Sequence, residues 1–182
     1  MTKALIIVAH PDDETIWMSG FILKNKDWDW TILSLCRKHD KDRSVKFKKV
    51  CNFYNAKSFM DNLNDTNKKP VDIKRIINKI KKYTKKNHYD FIFTHNSNGE
   101  YGHIRHKEVH QAITNMIERK ILKADKLILF SYFNAKFNKK IELTPKELEI
   151  KKKVITEIYG FQKNSFEEEN CKQIETFMEV KL

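Results

Sequence analysis

Residues 4–9 read ALIIVA, so an extended chain there carries no polar side chain on either face. A strand apolar on both faces belongs in the interior of a sheet covered on both sides. The pattern repeats. Apolar strand-like runs at 3–9, 30–36, 56–60, 90–95, 126–133 and 174–182 alternate with helix-period stretches at 14–25, 45–55, 71–86, 104–121 and 145–159. In 71–86 the stripe is Ile73, Ile76, Ile77, Ile80 and Tyr83, one helical face. Thr144 followed by Pro145 marks the start of the last helix. Strand–helix alternation predicts an α/β fold: a Rossmann-like, mostly parallel sheet with helices on both faces. At 182 residues, with no repeat, linker or low-complexity segment, the chain is expected to form a single domain over 1–182.

Composition narrows the setting. Three cysteines, far apart, form no CxxC pair and suggest neither a disulfide framework nor a zinc ribbon. The first apolar run ends after six residues, too short for a signal core or a membrane span, so a cytoplasmic protein is expected. The net charge of +12 admits an anionic partner. The lysines are spread along the chain, however, and KKYTKK (81–86) and EIKKKV (149–154) look like solvated helix faces. No basic stripe interleaved with aromatics is present, so no nucleic acid partner is expected.

In parallel sheets, ligands bind beyond the carboxyl ends of the strands. The first strand ends in His10-Pro11-Asp12-Asp13-Glu14, the second leads to a loop reaching Arg43, and the fourth ends in Thr94-His95 followed by NSNGEYGHIRH. A catalytic zinc site needs three His or carboxylate ligands and one open position. His10 and Asp13, three apart in a loop, can turn toward one point. His103 and His106, three apart at a helix start, can share a face. His110 reads as a helix-face residue. His39 and His88 read as solvent residues, Trp17, Trp28 and Trp30 as packing groups, and the cysteines as buried thiols.

AHPDDE at 9–14 together with THNSNGEYGHIRH at 94–106 resembles the PIG-L/LmbE family of zinc-dependent N-acetylglucosaminyl deacetylases. Arg43 and IYGFQ at 158–162 are weaker echoes. The resemblance implies His10, Asp13 and His106 as metal ligands, Asp12 as general base, and His103 and Tyr101 as groups that polarise the carbonyl or stabilise the oxyanion. Arg43 and His95 are expected to bind substrate. The implied reaction removes the N-acetyl group of an N-acetylglucosamine-type sugar in a glycoconjugate. Zinc lowers the pKa of bound water to about 7, and Asp12 takes the proton as that water attacks. A His2Asp set also suits Fe2+ or another divalent ion. Glu14 reads as a helix-start acid that supports the site. One position departs from the family: the acid that often precedes the last ligand histidine is here Arg105, and a cation there disfavours a charged His103. Two other readings fit the residues: a metal-dependent amidase on a non-sugar N-acyl substrate, and a non-catalytic basic binding protein with a relic site.

Overall fold

The computed structural model describes residues 1–66, 69–84 and 88–182. Strands β1 (Lys3–Val8), β2 (Asp29–Cys36), β3 (Lys57–Leu63), β4 (His88–Thr94), β5 (Lys123–Phe130), β6 (Lys139–Glu142) and β7 (Ile174–Lys181) form one sheet in the order β3-β2-β1-β4-β5-β7-β6. The first five pair in parallel, and β7 runs antiparallel between β5 and β6. The mostly parallel α/β architecture expected from the alternation is therefore the one observed.

Both faces of the sheet are covered, as the ALIIVA run requires. Ala4, Ile6 and Val8 pack on one side with Trp17 of α1 (Asp13–Lys24), Phe47 of α2 (Lys41–Phe53) and Ile155. Leu5, Ile7 and Ala9 pack on the other with Ile76 and Ile80 of α3 (Ile73–Lys81) and Val109 and Ile113 of α5 (Ile104–Glu118). Ile155 lies in a π-helical turn, Val154–Ile158, that continues α6 (Pro145–Lys153). That helix opens with the expected Thr144 cap, completed by a reciprocal bond from Glu147. Short helices α4 (Gly99–Gly102) and α7 (Phe166–Glu169) complete the chain.

Several boundaries differ from the sequence reading, each for a local reason. Helix α2 begins at Lys41 rather than 45, because the Asp40 side chain accepts from the Asp42 and Arg43 N–H groups. Its first turn is polar and carries no apolar stripe to reveal it. Strand β3 runs to Leu63 rather than 60, through polar Asp61 and Asn62. Helix α1 is broken at Met18 (φ −150°). The edge strand β6 is four residues of KKIE and has no buried face to mark it. Of the helix expected over 71–86, the last two residues lie outside the described residues.

From β1 the chain steps outward through β2 to β3, then returns to place β4 on the other side of β1. The order reverses between β1 and β4, which opens a crevice beyond their carboxyl ends. Both sequence motifs begin there.

Candidate metal centre and active-site pocket

His10 follows β1, and Asp13 opens α1. His106 comes from the first turn of α5, which follows β4. The topology brings the three together. His10 Nδ1 lies 3.2 Å from His106 Nε2 and 3.4 Å from Asp13 Oδ2, and His106 Nε2 lies 3.4 Å from Asp13 Oδ1. Donors on a tetrahedral ion with bonds of about 2.0–2.1 Å stand roughly 3.3–3.4 Å apart, so these spacings are of the size a shared ion requires, with Asp13 meeting the two histidines through different oxygens. His103 and His95 also contribute nitrogens to overlapping sets, His10–His103–His106 and Asp13–His95–His106, whose donor atoms lie within 4.8 Å of one another. Electrostatics agree. Burial alone would lower the His10 pKa, but Asp13 and Asp65 overcome it and raise it to about 10. That is a place where positive charge is favoured.

Buried partners orient these side chains. Glu100 Oε2 sits 2.6 Å from His106 Nδ1 and 2.8 Å from His95 Nδ1, while Glu100 Oε1 accepts the Asn96 N–H. With its Nδ1–H given to Glu100, His106 turns the Nε2 lone pair toward the convergence point. Glu100 holds this position at φ 56°, between Gly99 (φ 65°) and Gly102 (φ 95°), a left-handed turn that the two glycines make accessible. Trp17 Nε1–H donates to Asp13 Oδ1 at 3.0 Å, so this packing tryptophan also fixes a site carboxylate.

His95 corrects the sequence expectation of a substrate-binding residue. It is fully buried and is not among the residues lining the pocket. Burial lowers its pKa, and Glu100 and Asp13 overcome this and raise it to about 9. The Ala9 N–H nevertheless ends on its Nε2 at 3.0 Å, which requires a lone pair there and favours the neutral Nδ1–H tautomer. A side chain with both nitrogens engaged behind Asp13 and His106 supports the site rather than meeting a ligand.

A cavity of about 230 Å³ opens onto the cluster, lined among others by His10, Asp12, Asp13, Arg43, Tyr101 and His103. Asp12 occupies φ 125°, ψ −32°, a conformation that costs on the order of 1–3 kcal/mol and marks functional sites. Its N–H donates to Glu14 Oε2 at 3.1 Å. Glu14 is itself fully buried and accepts from the Thr15 hydroxyl (2.8 Å) and the Tyr159 hydroxyl (2.7 Å). The helix-start acid thus braces Asp12. Tyr159, in the IYGFQ stretch, braces Glu14. Burial and the adjacent Asp13 hold the Asp12 carboxyl well above the usual range, against the pull of His10 and Arg43. Arg43 Nη1 is 3.5 Å from Asp12 Oδ2, and its guanidinium lies 4.2 Å over the Phe161 ring.

His103 caps α5, its Nδ1 accepting the Arg105 N–H at 3.3 Å, which leaves Nε2–H as the available donor. Burial and the neighbouring His106 and His10 push its pKa down to about 4, so it is neutral at neutral pH. The Arg105 guanidinium is engaged elsewhere: Nε donates to Asn64 O and Nη2 to Lys69 O. Tyr101 is 43% exposed at the pocket, with its ring centroid 5.7 Å from that of His103. His110 stays on the helix face behind the cluster, its Nδ1–H donating to the His95 carbonyl oxygen at 3.0 Å.

Sequence reasoning passed over Glu100 and Asp65. The signal for Glu100 was an acid set between two glycines just ahead of a candidate ligand. Asp65 was hidden because β3 extends three residues beyond its expected end, which moves the strand-end position onto 64 and 65.

Together the fold and the cluster define a class: an open α/β sheet with a buried His–carboxylate centre beside a polar pocket at its switch point. The chain belongs to the PIG-L family, described as GlcNAc-PI de-N-acetylase, whose profile residues 5–117 match. Over 127 residues it is 26% identical to an uncharacterized protein of Acanthamoeba polyphaga mimivirus, covering 58% of this chain and 53% of that protein. The chain thus spans about half the length of the curated relative it matches. Its fold is similar to that of N,N'-diacetylchitobiose deacetylase from Pyrococcus horikoshii, with TM-score 0.77, 18% identity, and coverage of 99% of this chain and 84% of that one. It is also similar to 4-carboxy-2-hydroxymuconate hydratase from Pseudomonas putida KT2440, with TM-score 0.64, 12% identity, and coverage of 94% and 83%. Since a deacetylase and a hydratase share this fold, the reaction has to be argued from the site. Among the described residues no helix is long and apolar enough to cross a membrane.

Proposed function

We propose that the protein is a metal-dependent N-deacetylase acting on an N-acetylglucosamine-type amino sugar within a glycoconjugate. The observation that carries this reading is the convergence of His10 Nδ1, His106 Nε2 and the Asp13 carboxylate at 3.2–3.4 Å, with the strained Asp12 alongside. Two imidazole nitrogens facing each other over a carboxylate suit zinc, and Fe2+ or another divalent ion would fit the same donors. A divalent ion held by these three residues would supply Lewis-acid activation of a water molecule.

The remaining chemistry belongs to the chain. Asp12 accepts the proton of the attacking water as its oxygen adds to the amide carbon. It returns that proton to the amide nitrogen as the C–N bond breaks, giving acetate and a free amine. Asp12 lines the pocket directly beside Asp13, where a carboxylate can both take and release that proton. As the carbonyl oxygen gains charge, the Tyr101 hydroxyl and the neutral His103 Nε2–H donate to it. Arg43 holds Asp12 from the pocket side and offers its remaining N–H groups to substrate oxygens.

The test is metal content by plasma mass spectrometry on wild type and Asp13→Ala, each incubated with zinc. About one ion per wild-type chain, lost in the variant, is expected. Absence from wild type would overturn the reading. Acetate release from a panel of N-acetylated sugars and non-sugar amides, with and without chelator, then decides the substrate class.

A further inference from the structure

Asp65 stands on the other side of His10 from the convergence point. Its Oδ2 lies 3.1 Å from His10 Nε2 and 3.3 Å from Arg37 Nη2. The contact with His10 is one of charge, since no hydrogen bond to Nε2 has suitable alignment. His10 directs its Nδ1 to His106 and Asp13. An imidazole that gives its Nδ1 lone pair to a cation carries its proton at Nε2, and that proton needs an acceptor. Asp65 sets a carboxylate oxygen 3.1 Å from that nitrogen, a charge contact where Glu100 makes a hydrogen bond to His106 Nδ1. The two histidines are thus braced through opposite ring nitrogens.

The segment bearing Asp65 is itself tied down. Fully buried Arg105 donates through Nε to Asn64 O (2.7 Å), through Nη2 to Lys69 O (2.8 Å) and through Nη1 to Glu108 Oε2 (2.5 Å). Glu108 Oε1 in turn accepts the Val71 N–H at 2.7 Å. Arg105 directly precedes His106. One turn of α5 therefore delivers a candidate ligand to the centre and clamps the loop that braces another. This accounts for an arginine where the family often has an acid.

We propose that Asp65 is a positioning residue of the metal centre: it orients His10 and raises the basicity of its Nδ1, with Arg105 and Glu108 fixing the loop that carries it. The proposal rests on the metal-centre reading above. Zinc affinity, measured by chelator competition, and the visible spectrum of the cobalt-loaded protein test it on wild type, Asp65→Ala, Asp65→Asn and Thr66→Ala. Thr66 sits on the same loop, and among the described residues its hydroxyl donates to the Asn64 side chain and to no group of the metal centre. The zinc Kd should rise about 10–100-fold in Asp65→Ala. Asp65→Asn, which keeps an acceptor oxygen without the charge, should fall between that variant and wild type, and Thr66→Ala should match wild type. Wild-type affinity and spectrum in Asp65→Ala would overturn the proposal while leaving the metal centre standing. An equal loss in Thr66→Ala would also overturn it, by assigning the effect to loop integrity. A wild type that takes up no metal would overturn the metal centre and this inference together.

Discussion

Two buried charged clusters flank the broken helix α1, and they are built on opposite principles. Midway along it, Glu175 and Lys151 are both fully buried. Glu175 Oε1 accepts from Lys151 Nζ (2.7 Å) and the Gly20 N–H (2.8 Å), and Oε2 accepts from the Phe21 N–H (3.0 Å). The pair caps the restart of the helix after Met18, and its charges cancel. At the N-terminal end of α1, Asp13, Glu14 and Glu100 share their surroundings with His10, His95 and His106. Two imidazole nitrogens there face each other at 3.2 Å, with room for at most one proton between them. Asp12 and Glu100 both take positive φ. The first cluster has a donor for each inward acceptor and holds shape. The second finds donors for its carboxylates as well, but it sets two imidazole nitrogens against each other and stores backbone strain, the condition of a site that receives a cation and a ligand.

The contrast is broken most forcefully at Asp12. Asp12→Asn should lower kcat by about 10²–10⁴-fold while metal content stays near wild type, because Asp12 faces the pocket and not the convergence point. Near-full turnover in acetate-release assays would remove the base assignment. The opposite pattern is expected at the satisfied cluster. Lys151→Met leaves the Glu175 carboxylate buried without its counter-charge and should cost about 3–5 kcal/mol in urea unfolding, with metal content per folded chain unchanged. A loss of metal at unchanged stability would erase the distinction between the two clusters.

A partly buried pair sharpens the scale at its lower end. Lys79 bonds Asp61, which also receives the Tyr83 hydroxyl at 3.2 Å. Burial raises the Asp61 pKa, and Lys79 overcomes it, leaving the carboxyl below its ordinary value. A lowered folded-state pKa means the contribution is complete above the unfolded-chain value of about 4 and fades as pH falls through the folded-state value. Lys79→Met should therefore cost about 1 kcal/mol at pH 7, and the gap from wild type should narrow as pH drops below about 4. A gap that is constant with pH would assign the effect to packing of the lysine stem.

Much of the site was legible because its parts are local. His10, Asp12 and Asp13 follow an apolar run that can only be a buried strand, and His103 and His106 open a helix after another. What the sequence concealed are groups whose roles depend on distant partners. Glu14 looks like an ordinary first-turn acid until Tyr159, 145 positions away, bonds it in the core. His95 looks like a strand-end pocket residue until the Ala9 N–H, 86 positions away, takes its Nε2.

The sequence by itself determined the alternation, hence a parallel sheet covered on both faces, and the strand ends where chemistry collects. Periodicity and motif spacing are properties of neighbouring residues, and they survive in a linear reading. Only the tertiary structure decided that β1 and β4 lie side by side, that Glu100 serves two histidines at once, and that Arg105 turns away from His103 to clamp the loop of Asp65. Those outcomes depend on which strands pair and on which buried polar groups find partners, and burial in a folded core is not a property of any short stretch of chain.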